Sequence, residues 1–138
     1  MATIDFSKLI TSDQKTSVKR DEALARLADL RWQYETGGVI FAKGQMVSTS
    51  RESQAQIINL VQSLEAGLTE APVLWKLQDK WVELSAGQIN TMAKAVSAHV
   101  RHSFGAEKIV SDLVVAAKVP SKIDLAEKFE TAYHSFES

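Results

Sequence analysis

The stretch RWQYETGGVIFAKGQMVSTSRESQ, from Arg31 to Gln54, decides how this chain is read. It holds an Arg-Trp pair at the end of an amphipathic pattern, a Gly-Gly break, a short apolar ribbon and a cluster of hydroxyls. Gly37 and Gly38 end a helix, because glycine weakens helical backbone and accepts conformations that other residues avoid. The repeat then changes from helical to alternating, and VIFAKGQMVST reads as a hairpin turning at Lys43-Gly44, where Gly44 supplies the positive φ of a tight turn. That turn sets Phe41 opposite Met46 and Ile40 opposite Val47, and with both faces apolar, both are expected to be covered. Thr49 and Glu52 have capping-box spacing, and Ile57, Ile58, Val61, Leu64 and Leu68 form the stripe of the helix that follows. The stretch is therefore a joint of helix, ribbon and helix.

Two side chains at the start of the joint have open roles. Arg31 falls within the apolar stripe of the first helix: either its stem lies over that face with its charge in water, or its guanidinium is held by a carboxylate such as Glu35, one turn on, or by helix-end carbonyls. Trp32 points away from the stripe, and either covers a second packing surface or is offered to a partner.

Towards the N-terminus, Ala23, Leu24, Leu27, Leu30 and Tyr34 share one helical face, with no Pro or Gly between Thr11 and Gly37. Thr11 and Gln14 make a capping box, so a long first helix starts there and residues 1–11 are read as an N-terminal arm. Towards the C-terminus, Pro72 closes the second helix region, and VLWKLQDKWVEL is a second ribbon turning around Gln78 and Asp79, with Trp75 and Trp81 flanking the turn and its register open. Ser85 and Gln88 form another capping box, followed by Ile89, Met92, Ala93, Val96, Val100 and Phe104. Gly105 kinks, stops or merely weakens this longest helix. The two ribbon-plus-helix segments echo each other at an offset of about 35 residues, with Val47, Ser50, Ile57 and Val61 answering Val82, Ser85, Met92 and Val96. Ile109, Val110, Leu113 and Ala117 continue a buried face up to Pro120. Ser121 then caps a last helix whose Leu125, Phe129, Tyr133 and Phe136 either dock it on the core or present it to a partner.

With 138 residues, 45% of them hydrophobic and 24% charged, the chain has the make-up of a single globular domain spanning 1–138. A net charge of −1 gives no electrostatic ground for nucleic acid or an anionic membrane. There are no cysteines, which removes disulfides, thiolate chemistry and cysteine zinc sites, and no leader or spanning segment is legible, so the expectation is a cytosolic chain.

Reaction machinery is not legible either. His99 and His102 lie three apart without a third ligand, His134 sits beside the terminal aromatic face, and all three read as helix-surface residues. The sequence has no nucleophile elbow, Gly-rich phosphate loop or EF-hand loop. No catalytic, cofactor-binding or metal-ligating residue is assigned.

Taken together, Arg31-Trp32, Glu35, Gly37-Gly38, the hairpin around Gly44, Ser53-Gln54, Trp75, Trp81-Val82 and a helix rich in small residues resemble an uncharacterised domain family of bacteriophages and prophages, found in tail proteins and encoded beside tail-fibre genes. The opening MATIDFSKLITSDQK is also similar to the start of many such chains. The resemblance implies a non-enzymatic virion tail component acting through protein contacts, located in the tail or, during assembly, in the host cytoplasm. It equally admits a tail-fibre assembly chaperone or an accessory protein that binds a host factor. The partner would be a phage tail or tail-fibre protein, with Trp32, Trp75, Trp81, Phe129, Tyr133 and Phe136 as candidate anchors. Hairpin edges could also pair with a second copy in a homo-oligomer. The expected fold is α+β and mainly α-helical, with a long first helix, two hairpins sharing a small antiparallel sheet, a packed helix after each hairpin and a C-terminal helix.

Overall fold

The first helix opens as its sequence predicts: in the computed structural model, which describes residues 11–137, Gln14 N–H donates to Thr11 Oγ1 and Thr11 N–H to Gln14 Oε1, at 3.1 and 2.9 Å. The predicted arm lies, except for Thr11, outside the described residues. Helix α1 (Ser12–Thr36) is followed by strands β1 (Val39–Ala42) and β2 (Gln45–Val47), helix α2 (Arg51–Glu65), strands β3 (Val73–Lys76) and β4 (Trp81–Leu84), helix α3 (Ala86–Ala116), a short 3-10 turn at Pro120–Lys122 and helix α4 (Leu125–His134). The fold is α+β and mainly helical. The two hairpins do not share a sheet: among the described residues β1 pairs with β2 alone and β3 with β4 alone. Each hairpin meets the core through its face, which buries its apolar residues without joining the edges.

The described chain falls into two compact units, one formed by the residues up to Leu30 with those from Gly105 on, the other by Arg31–Phe104. In the first, the buried residues include Ala23 and Leu27 of α1, Ala106, Val110 and Val114 of α3, and Phe129, Ala132 and Tyr133 of α4. The expected stripe of Ile109, Val110, Leu113 and Ala117 is corrected: Ile109 and Leu113 are exposed. The face turned inward is instead the continuation of Met92, Val96, His99 and Ser103, at alternating steps of three and four through Ala106 and Val110. The helix runs through Gly105 without stopping, and at Gly105 a Cβ would stand 2.7 Å from the Phe136 ring. Asp124, not Ser121, caps α4 by accepting from Glu127 N–H at 3.2 Å, because Ser121 is taken up in the 3-10 turn.

The core of Arg31–Phe104 is Val47, Ile57, Leu77, Leu84, Ile89, Met92 and Val96. The first hairpin turns at Lys43 and Gly44, both at positive φ (47° and 76°), as a tight two-residue turn requires. Its register is not the simple one. The strands pair Val39 with Val47 and Ile40 with Met46, and Phe41 is an extra residue before Ala42 meets Gln45. This bulge gives the inward face Val39, Phe41 and Val47 together, since directly opposed residues share a face and alternate residues of one strand do too. The other face, with Ile40 and Met46, is open rather than covered. In the second hairpin Val73 opposes Leu84 and Trp75 opposes Val82, and all four face the core, whereas Leu74 and Trp81 face out.

Thr49 does not cap α2. Its hydroxyl is buried and accepts from Gly38 N–H at 2.8 Å, and Ser50 takes the cap by accepting from Ser53 N–H. The helix ends in a Schellman arrangement, with Leu68 N–H on Ser63 C=O, Gly67 N–H on Leu64 C=O and Gly67 at φ 72°. Leu68 therefore lies beyond the helix and is exposed, and Ile58 within the helix is exposed as well. Ser85 and Gln88 cap α3 reciprocally, as read. The two hairpin-helix segments repeat in role as well as order: Ser50 and Ser85 cap, while Val47, Val82, Ile57, Met92, Val61 and Val96 all pack in the same core.

Gly38 and Gly44 offer a direct test of the hairpin's backbone. Gly38 combines φ 93° with Met46 and Val47 atoms 3.1–3.3 Å from a Cβ, whereas the Cβ space at Gly44 is open. Gly44→Ala should cost about 1 kcal/mol from the left-handed conformation alone, and Gly38→Ala about twice that. Urea unfolding of the two variants measures the difference.

Candidate functional site

The end of α1 carries a carboxylate where the helix dipole disfavours it, and the start of α2 carries a guanidinium where the dipole disfavours that. The two misfits meet. Glu35 is fully buried, and Arg51 binds it with both prongs, Nε to Oε2 at 2.5 Å and Nη2 to Oε1 at 3.0 Å. Arg31, one turn back on α1, donates to Oε1 at 2.7 Å, and Gln54 of α2 donates to Oε2 at 3.0 Å. Of the two readings of Arg31, the structure takes the held guanidinium, which also lies over the Phe104 ring at 4.5 Å. Arg51 stands over the Trp32 ring at 5.3 Å.

The surrounding polar groups join the same end of α1 to the rest of its unit. Gln54 Nε2 also donates to Thr49 C=O at 2.9 Å, and Thr49 receives Gly38 N–H, so α1, the hairpin and α2 are tied at one corner. His99 of α3 is buried, not on the surface as expected, because it falls in the inward stripe of that helix. Its Nε2 lies 2.6 Å from Tyr34 C=O, and since a carbonyl only accepts, Nε2 carries the proton. The sequence reading missed Arg51, Gln54 and Thr49 as a group. The signal it could have used was the pair of charges at the wrong helix ends.

Chemically this cluster holds a buried negative charge among donors. Burial pushes the Glu35 carboxyl up, but the hydrogen bonds from Gln54, Arg51 and Arg31 and the Arg51 charge outweigh it, so its pKa lies below the ordinary 4.5. Burial pushes His99 below its ordinary 6.5, aided by the charge of His102 and opposed by the Tyr34 carbonyl and Glu35. Among the described residues, no three His, Asp or Glu side chains gather as metal ligands, and no helix is long and apolar enough to cross a membrane.

The six candidate anchors divide between the two units, the three tryptophans in Arg31–Phe104 and Phe129, Tyr133 and Phe136 in the other. Trp32 is 49% exposed and Trp81 62%, whereas Trp75 faces the core of its hairpin. Phe129 and Tyr133 are buried in their own unit, which leaves Phe136 as the exposed member of the terminal aromatic face. His134 is exposed and paired with Glu137 at 2.8 Å.

A family model described as a domain of unknown function, DUF4376, matches residues 18–131, and the chain belongs to that family. No curated protein and no solved structure matches it significantly.

The cluster makes stability fall with acid in two windows. Below pH 6.5 the unfolded chain takes up a proton at His99 before the folded chain does, and below pH 4.5 the same holds for Glu35, so each contribution is full above those values and lost as pH falls through the lowered folded pKa. Glu35→Gln should cost about 3 kcal/mol at neutral pH, because two guanidinium groups lose their counter-charge, and should flatten the lower window while leaving the upper one. Denaturant titrations between pH 3 and pH 8 measure both.

Proposed function

We propose that this DUF4376 chain is a non-enzymatic phage tail or tail-fibre associated protein, a virion tail component that works through protein contacts. The tail assignment rests on the resemblance carried by Arg31-Trp32, Glu35, Gly37-Gly38, Ser53-Gln54 and Trp81-Val82. The protein-contact assignment rests on one observation: the buried ionisable groups are committed to holding the fold, while two tryptophans stand on the surface of the same unit. A carboxylate saturated by two arginines and a glutamine is a poor proton carrier. Tryptophan and arginine are each enriched among the residues that carry protein interfaces, and here Trp32 stands beside the Arg51 guanidinium.

Mass spectrometry of purified mature particles tests the assignment, and the expected result is a fixed copy number for this chain. Abundance in infected cells with absence from particles would instead make it an assembly chaperone or an accessory protein that binds a host factor. Trp32→Ala and Trp81→Ala should each change stability by about 1 kcal/mol or less, being exposed, yet at least one should lower the copy number in particles.

A further inference from the structure

Between α2 and α3 runs an apolar groove, with one pocket of about 210 Å³ and another of about 370 Å³ that share Ile58, Ala93 and Ser97 in their walls. Small residues on α3 make the groove and larger ones on α2 border it: Ala93 and Ser97 leave room beside Ile58, which is 57% exposed. The charged residues that line it are Arg101 in the one pocket and Lys94 in the other. Neither makes an ion pair with a carboxylate among the described residues; Arg101 lies 5.5 Å over Phe104 and is otherwise directed to solvent. No carboxylate is among the residues that line the groove.

From this charge pattern we infer that the groove is a docking site for an amphipathic helix of a partner protein with an apolar stripe flanked by carboxylates. Lys94 and Arg101 are seven residues apart on one helix, so they project from the same side of α3 about 10 Å apart along its axis. A helix laid along α3 meets both with acidic residues at the same seven-residue spacing, and its apolar stripe fills the space over Ala93, Ser97 and Val100. Two cations seven residues apart also fix the placement of the bound helix, because a shift by one turn separates the acids from both of them. This inference rests on the reading of the chain as a protein-contact module and adds to it the surface and the chemistry of the partner.

The test uses the full chain, labelled for NMR, and two synthetic amphipathic helical peptides that share a leucine stripe and differ only in carrying Glu or Lys at two flanking positions seven residues apart. The Glu peptide should bind and shift the amides of Ile58, Ala93 and Ser97, with the Lys peptide weaker by about tenfold or more. Lys94→Glu with Arg101→Glu should reverse that preference, and Lys94→Gln with Arg101→Gln should abolish it. Both substitutions are at exposed positions, and circular dichroism verifies the fold. Equal binding of the two peptides, shifts outside α2 and α3, or no binding of either would overturn the inference. So would a dimer in sedimentation that Ile58→Asp dissolves, which would give the groove to a second copy. Particle mass spectrometry is independent of these outcomes, so failure here and failure of the tail assignment are told apart.

Discussion

One buried carboxylate sets the geometry of the central unit. Glu35 has no contact with water, and a charge in that position persists only if its oxygens are filled with donors. Its donors come from α1 itself through Arg31 and from α2 through Arg51 and Gln54, so satisfying the charge fixes how one helix leaves the joint and where the next begins. The cost of burying Glu35 is thereby converted into positional information. The unfavourable dipole settings of Glu35 and Arg51 disappear when the two are considered as a pair.

The joint's backbone follows the same logic of obligatory partners. Gly38 must donate its N–H as the chain leaves α1, Thr49 accepts it, and Thr49 is then lost as a helix cap, a role Ser50 fills. The bulge at Phe41 is the corresponding solution for packing, because it brings Val39, Phe41 and Val47 to one face when an unbulged ribbon would divide them between two. In the second hairpin no bulge is needed. Trp75, Val82 and their neighbours alternate in phase, and a buried Leu77 anchors the loop.

What was legible in the sequence was what is decided within a few residues. The caps at Thr11 and Ser85, the break at Gly37-Gly38, the turn at Lys43-Gly44 and the long helices follow from spacing and local hydrogen bonds, and Arg31 with Glu35 is one helical turn. The remaining misreadings have non-local causes. Arg51 and Gln54 reach Glu35 across 16 and 19 residues, and His99 reaches Tyr34 across 65, distances over which a single sequence carries no pairing signal. Ile109 and Leu113 look as buriable as Val110 and Val114, and only the continued stripe from Met92 tells which pair faces in. Of the candidate anchors, Trp32 and Trp81 lie on the surface, and Trp75 was indistinguishable from them because register alone separates its face from that of Trp81.

Glu35 and Arg51 act as one unit that joins α1 to α2. A double-mutant cycle with Glu35→Gln, Arg51→Gln and the combined variant, measured by urea unfolding at neutral pH, addresses it directly. A coupling of about 2 kcal/mol is expected, with the second substitution costing little once the first is made. Additive costs, within about 0.5 kcal/mol, would mean that the two residues stabilise the fold separately and that the joint is held by something else.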